Sequence, residues 1–444
     1  MPRGSALPLG SLGGPSMIVG VPRESFPGER RVALVPAALA NLSKIGLEVI
    51  IESGAGVEAG YPDADYVAKG AKVISDRAEI FRTADIIVQV LSPGANDKTG
   101  AADLAQFRRD QIVIGFFRPM NSVDVLKDLA ERGVTSFSVE LIPRTTRAQS
   151  MDALSSMATV AGYKAVLIAA DIVPKFFPML TTAAGTITPA RVLILGVGVA
   201  GLQAIATARR LGAVVSAYDL RPVVKEQVQS LGARFVELPL EATNAQDARG
   251  YATAQDESFY RRQRELLGKV IADHDVVITT AVIPGKKAPT LVTKEMVAGM
   301  APRSVIIDLA AERGGNCEYT RPGEKISVEK DVTVVGWFNL ASTVPFHASQ
   351  MYARNLSTFL ALLVKDGKLN LNLKDDILRE TLVTHGGDLV NARLRELFQL
   401  PALAAKEETP QSSWICSPAS TSSCSPRSSD SKSSAASRRY FTRR

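Results

Sequence analysis

Short runs of β-branched and aliphatic residues alternate along the chain with longer stretches whose apolar positions recur every three or four residues. MIVGVP (from Met17), LEVIIESG (from Leu47), AKVIS (from Ala71), ADIIVQVLSP (from Ala84) and QIVIGFF (from Gln111) predict the strands of one parallel sheet. After Ala190 a second series, RVLILGVG, AVVSAYD, ARFVEL, DVVITTAV and RSVIIDLA, predicts another. Each run is continuous rather than alternating, as strands covered by helices on both faces require. AALANLSKIG has helical spacing and closes on glycine, as a helix C-terminus does. No solenoid-length repeat interrupts the pattern.

Between the two series, SMDALSSMATVAGYKAVLIAAD places Met151, Leu154, Ala158, Ala161, Ala165 and Ile168 on one helical face, with Asp152, Ser155 and Ser156 off it near the start. ASQMYARNLSTFLALLVKDG, from Ala348, predicts a second long helix returning to the first sheet. The expected architecture is α/β, with two Rossmann-like domains built on parallel sheets, joined by long crossover helices and facing each other across a cleft. Its expected parts are a leader at 1–16, a first α/β domain at 17–150, a nucleotide-binding Rossmann domain at 151–325 and a return segment at 326–400. A serine-rich basic tail at 401–444, poor in large apolar residues, is expected to be disordered.

Composition narrows the function classes. Hydrophobic residues at 46% and charged residues at 22% are ordinary for a soluble globular chain. No run reaches the ~18 consecutive apolar residues that span a bilayer. About half of the net charge of +7 falls in the tail, and no basic stripe is interleaved with aromatics, so nucleic acid is not an expected partner. Cys317, Cys416 and Cys424 form neither a disulfide framework nor a metal-ligand spacing, and His274, His347 and His385 are scattered. A reducing compartment and no metal are therefore expected.

RVLILGVGVAGLQAIATARRLGAVVSAYDLRP carries the clearest chemistry. Gly196, Gly198 and Gly201 form G-x-G-x-x-G directly after a strand and before a helix. The first glycine permits the turn, the second lets a pyrophosphate approach the backbone, and the third brings helix and strand together. The helix N-terminus then faces the phosphates. The next strand ends in Asp219, where a carboxylate accepts ribose hydroxyls and repels a 2′-phosphate, which favours NAD(H). Arg221 pulls the other way. Downstream, the long polar stretch from Glu237 centres on Gly250 and Tyr251, either a surface insertion or a hinge and lid over the nucleotide.

PRTTRAQSMDALSS, from Pro143, crowds Arg144, Arg147, Gln149, Asp152 and Ser155 ahead of the long helix without His, Cys or Lys. Such a set can position a reactant, but no His, Cys or Lys is there to act as nucleophile or base.

On these segments, with VGVPRE, ERRVALVP, TTAVIPGKKAP and IDLAAERGGNCEYTRPGE, the chain closely resembles the NAD(H)-binding component of the proton-translocating NAD(P) transhydrogenases, from Met17 to about Val383. It also resembles the related alanine dehydrogenases. Those carry lysines where VQVLSPG has Gln89 and Leu91, and histidine where GFFRPM has Arg118, so the groups that oxidise an amino acid are missing. A free-standing alanine dehydrogenase is the alternative, and an NAD(H)-sensing protein on the same fold a third reading.

The resemblance implies direct, Si-side hydride transfer between NADH on this chain and NADP+ on a partner subunit, coupled to proton translocation. Hydride transfer between two nicotinamides needs proximity and orientation more than a base. It implies Arg144, Gln149, Asp152 and Ser155 at the nicotinamide and its ribose. Val199, Asp219, Leu220, Arg221, Gly250 and Ala281 are implied at the adenosine and pyrophosphate, with Tyr251 on a closing loop. It further implies a homodimer, inactive without an NADP(H)-binding and a transmembrane subunit, lying peripherally on the cytoplasmic or equivalent side of the membrane complex.

Overall fold

Every apolar run singled out above forms a strand. In the computed structural model, which describes residues 16–239, 257–283, 285–401 and Leu403, the first lobe contains β1 (Met17–Val21), β2 (Leu47–Glu52), β3 (Lys72–Ile74), β4 (Ile86–Leu91), β5 (Ile112–Phe116) and β6 (Thr135–Ser138). The second lobe contains β7 (Arg191–Leu195), β8 (Val214–Tyr218), β9 (Arg234–Phe235), β10 (Val276–Thr279), β11 (Val305–Asp308), β12 (Lys325–Ser327) and β13 (Thr333–Val335). The chain then returns to the first lobe for β14 (Leu382–His385) and β15 (Asp388–Leu389). The second sheet thus runs past residue 325 to Val335.

The first sheet has the order β15-β14-β6-β5-β4-β1-β2-β3, parallel except for β14 and β15. The second has the order β9-β8-β7-β10-β11-β13-β12, parallel except for β12. Both reverse direction beside their first strand, and in such sheets the crevice at the strands' carboxyl ends is where ligands bind. The period of two sends neighbouring residues to opposite faces. Ile86, Val88 and Val90 of β4 fill one core, whereas Ile87 fills the other. Val192 and Ile194 of β7 lie opposite Leu193 and Leu195 in the same way.

The missed strand β6 reads TSFS, which carries no apolar run, yet all four residues are buried. Its hydroxyls replace apolar contact with hydrogen bonds. Ser136 Oγ lies 2.7 Å from Thr384 Oγ1, and Thr135 Oγ1 lies 3.0 Å from His385 Nδ1, which ties β6 to β14.

Two long helices join the lobes. α1 (Ala153–Ile172) begins after a 3-10 turn, Thr146–Met151, so Met151 precedes the helix rather than lying on it. Its buried residues include Met157, Val160, Ala165, Val166 and Ala169, a wider surface than the single expected stripe. The cause is position. Ala153, Met157 and Val160 belong to the first lobe's core, while Ala165, Val166 and Ala169 belong to the second's. By length and composition alone α1 could cross a membrane; here both halves are packed into cores. The other long helix, Pro345–Leu363, crosses back and buries Tyr352, Leu356 and Phe359 in the first lobe.

Candidate active site

The glycine turn follows β7 and opens α2 (Val199–Arg210). Gly196 has φ +97°, where a side chain would be strained, and a Cβ there would stand 2.8 Å from Thr280 Oγ1. At Gly201 a Cβ would stand 2.0 Å from the Gly196 carbonyl oxygen, so only hydrogen fits between turn and helix. Gly198 differs, since a Cβ there would meet nothing within 4 Å. That open side lies at the first turn of α2, which has no side-chain cap and no acidic residue. Free N–H groups and a positive dipole end are what a pyrophosphate requires. The turn fits a dinucleotide.

Behind it, α1 crosses α2 with unusual closeness. A Cβ at Gly162 would lie 2.1 Å from the Ala200 carbonyl oxygen. Gly162 was legible only within the family-like segment, since a helix-interior glycine gives no local hint of a close crossing.

Asp219 ends the strand beside the turn and is buried. Its carboxylate accepts from Val197 N at 2.6 Å and from Arg221 N at 2.8 Å, Nε at 2.9 Å and Nη2 at 3.0 Å. Val199, at the start of α2, and Leu220, next to Asp219, are half-buried. Ala281, after β10, is held by Asn316, whose Oδ1 accepts from Ala281 N at 3.0 Å and whose Nδ2 donates to Ala281 O at 2.9 Å. Asn316 N in turn donates to Asp308 at 2.7 Å, and Asp308 also receives Thr279, Ala310, Cys317 and Thr320. The sequence reading missed this Asp308–Asn316 platform; the signal was an acid at a strand end followed by Gly-Gly-Asn. Burial pushes the Cys317 thiol beside it up to about 12, so it is no nucleophile. Gly250 and Tyr251 lie outside the described residues.

The polar segment before α1 is organised by the helix itself. Asp152 is the N-cap, accepting from Ser155 N at 2.8 Å and from Ser155 Oγ at 2.6 Å. Gln149 is exposed in the 3-10 turn, and Arg144 is exposed in the loop before it. The turn is anchored from the return segment. Arg147 donates to Asp375 at 2.6 and 3.0 Å, and Asn355 Nδ2 donates to Ser150 O at 2.8 Å. These contacts fix the turn on which Gln149 is exposed.

At the first lobe's strand ends, Gln89 is buried and donates to Asp103 at 2.7 Å, and Leu91 is half-buried. Arg118 pairs with Glu312 of the second lobe at 2.9 Å. Glu24, at the switch point between β1 and β4, accepts from Val90 N at 2.6 Å and Leu91 N at 3.1 Å. Desolvation by burial, with Glu29 nearby, pushes its carboxyl up to about 8. Arg31 is buried against Glu29 in a two-pronged pair at 2.8 and 2.6 Å. Among the described residues no three His, Cys, Asp or Glu side chains converge as a metal site.

Comparison with known proteins agrees with this geometry. The alanine dehydrogenase/PNT N-terminal domain family matches residues 20–161, and the corresponding C-terminal domain family matches residues 165–392. NAD(P) transhydrogenase subunit alpha of Haemophilus influenzae is 43% identical over 402 residues, covering 88% of this chain and 77% of the relative. The crystal structure of transhydrogenase from Sinorhizobium meliloti superposes with a TM-score of 0.73 at 41% identity, over 85% of this chain and 99% of that one. Alanine dehydrogenase of Mycobacterium tuberculosis is more distant, at 28% identity over 397 residues, 87% of this chain and 98% of that one. The chain belongs to the alanine dehydrogenase/PNT family, on its transhydrogenase alpha-subunit side.

Proposed function

We propose that the chain is the NAD(H)-binding subunit of a proton-translocating NAD(P) transhydrogenase and passes hydride directly between its own NADH and NADP+ held on a partner subunit. The observation that carries the reading is the state of the first lobe's strand ends. Gln89 is tied to Asp103, Leu91 cannot ionise and Arg118 is paired with Glu312. The alanine dehydrogenases that the chain resembles carry lysines and a histidine at these positions for proton transfer, and here none of the three serves; the nearby Glu24 carboxylate is taken up by Val90 N and Leu91 N.

Bound NAD(H) would supply the hydride. The chain's own residues would hold it, with the turn at Gly196, Gly198 and Gly201 and the N-terminus of α2 on the pyrophosphate, and Asp219, Leu220 and Arg221 on the adenosine end. Asp152 and Ser155 orient each other and present hydroxyl and carboxylate to the nicotinamide ribose. Arg144, in the loop before the anchored turn, is the electrostatic and hydrogen-bonding anchor at the nicotinamide, and Gln149, exposed on that turn, is the group that contacts the ring of a second nucleotide brought by a partner. Orientation of the two rings is the whole catalytic task. The reading includes Si-side transfer, a homodimer, an NADP(H)-binding and a transmembrane partner, coupling to proton movement, and a peripheral position on the membrane complex.

The test is NADH oxidation by the purified chain, once fluorescence has shown that NADH binds. With pyruvate and ammonium alone, no steady turnover is expected. With the NADP(H)-binding component and NADP+ added, turnover is expected. Turnover on pyruvate and ammonium alone overturns the proposal in favour of an amino-acid dehydrogenase.

A further inference from the structure

The lobes touch at the carboxyl ends of their strands, and we propose that Arg118 and Glu312 are positioning residues for hydride transfer, an ionic strut that fixes the gap between the lobes. This inference rests on the transhydrogenase reading above. Arg118 follows β5 and Glu312 follows β11, and their 2.9 Å ion pair spans the two lobes directly.

Each end is held by its own lobe. Arg118 has φ +51°, a left-handed conformation that a long side chain rarely adopts. The Glu140 carboxylate holds it there, accepting from Arg118 N at 2.7 Å and from Phe117 N at 3.0 Å. Backbone strain of this kind persists only where surrounding structure over-determines it, and it collects at functional sites. Glu312 lies in a 3-10 turn, Ala311–Arg313, closed by Gly314 at φ +93°. Its other carboxylate oxygen accepts from Asn339 N at 3.3 Å.

Asn339 is a second residue in the left-handed region at the same crossing, with φ +54°, a conformation asparagine adopts readily. Its Nδ2 donates to Glu29 at 2.8 Å, and its Oδ1 accepts from Arg31 at 2.8 Å. A continuous polar chain therefore runs from buried Arg31 and Glu29 through Asn339 to Glu312, and on to Arg118 and Glu140. Beside it the loops are in contact, since a side chain at Gly285 would meet the Met120 sulfur at 3.3 Å.

Stability alone does not account for the strut. The Arg118 and Glu312 side chains are 44% and 39% exposed, and exposed pairs add little to folding. An equilibrium between two lobe positions is a different matter, because small differential energies shift such populations severalfold.

The experiment uses the full chain with the NADP(H)-binding component, comparing Arg118→Glu, Glu312→Arg and the double reversal. Each single reversal is expected to lower turnover at saturating NADH about tenfold, with NADH affinity within about threefold of the parent, and the double reversal to restore most of the rate. Singles at the parental rate, or a double no better than the singles, overturn the proposal. Should a reversal fail to fold, Arg118→Gln and Glu312→Gln remove one charge with little change of shape. Amide exchange at Met120 and Gly285 is then expected to quicken, and unchanged exchange overturns the strut. Exchange needs no partner, so a parental chain without transfer activity would sink the transhydrogenase reading while exchange still judged the strut.

Discussion

Arg221 closes on Asp219 with its backbone N–H, Nε and Nη2, while Val197 N takes the remaining side of the carboxylate. The guanidinium is thereby paired with the Asp219 carboxylate. Asp219→Ala should release it. NADPH affinity is expected to rise relative to NADH by about tenfold, the scale of one charge-assisted hydrogen bond. Fluorescence titration with both nucleotides measures the ratio; an unchanged ratio places the adenosine end elsewhere.

The glycines of the turn should separate binding from folding. At Gly201 an added methyl meets backbone oxygen at 2.0 Å, and neither helix nor turn can yield without moving the other. Gly201→Ala is expected to cost about 3 kcal/mol or more and to lower Tm. Gly198→Ala points into open space at ordinary negative φ, so Tm should hold. NADH affinity should nonetheless fall by at least about tenfold, because the methyl occupies the approach to the α2 N–H groups. Thermal melts beside NADH titrations of the two variants decide it.

Arg144→Ala and Gln149→Ala should each reduce hydride transfer by roughly a hundredfold, a magnitude that misplacement of reacting groups can produce. NADH binding should change only severalfold, since both residues are exposed, Gln149 on the turn anchored by Arg147 and Asn355 and Arg144 just before it. Single-turnover kinetics beside equilibrium titration separates the two. Equal losses would make them ordinary binding residues.

Glu24 gives the fold a pH dependence with a defined sign. Its carboxyl lies at about 8 in the folded chain against 4.5 ordinarily, so between those values the folded state holds more proton than the unfolded one. Stability should therefore fall as pH rises from about 5 to 8, by on the order of a few kcal/mol, and level off above. Glu24→Gln removes this titrating group and should make the slope shallower, with Glu140, also raised by burial, leaving a remainder. Urea midpoints across the range test it, and an unaltered slope would assign the dependence to another group.

Much of this was legible because strands buried on both faces announce themselves as apolar runs, and because the three glycines have separate steric duties. β6 was illegible for the opposite reason: Ser136 and Thr135 are buried through hydroxyl pairing with β14, and pairing across about 250 positions leaves no local trace. The Asp152–Ser155 cluster was visible as residue types. Its N-cap geometry was not, since the same residues suit a cap and a ligand equally. By residue type alone Arg147 is the equal of Arg144; the resemblance set it aside, and Asp375 pairs with it. Asn339 gave no signal at all, and Glu312 only as part of a family-like segment, because their partners come from the other lobe.

α1 contributes Ala153 and Met157 to one core and Ala165 and Ala169 to the other, with Gly162 abutting Ala200 in between. It therefore acts as a ruler. From Ser155 to Gly162 the helix advances about 10 Å at 1.5 Å per residue. That span separates the capped polar turn from the phosphate-binding turn, and it is set by helix pitch. Hinge motion could widen the entrance without altering this distance, so the chain can admit and release its nucleotide while the two ends of the site stay in calibration.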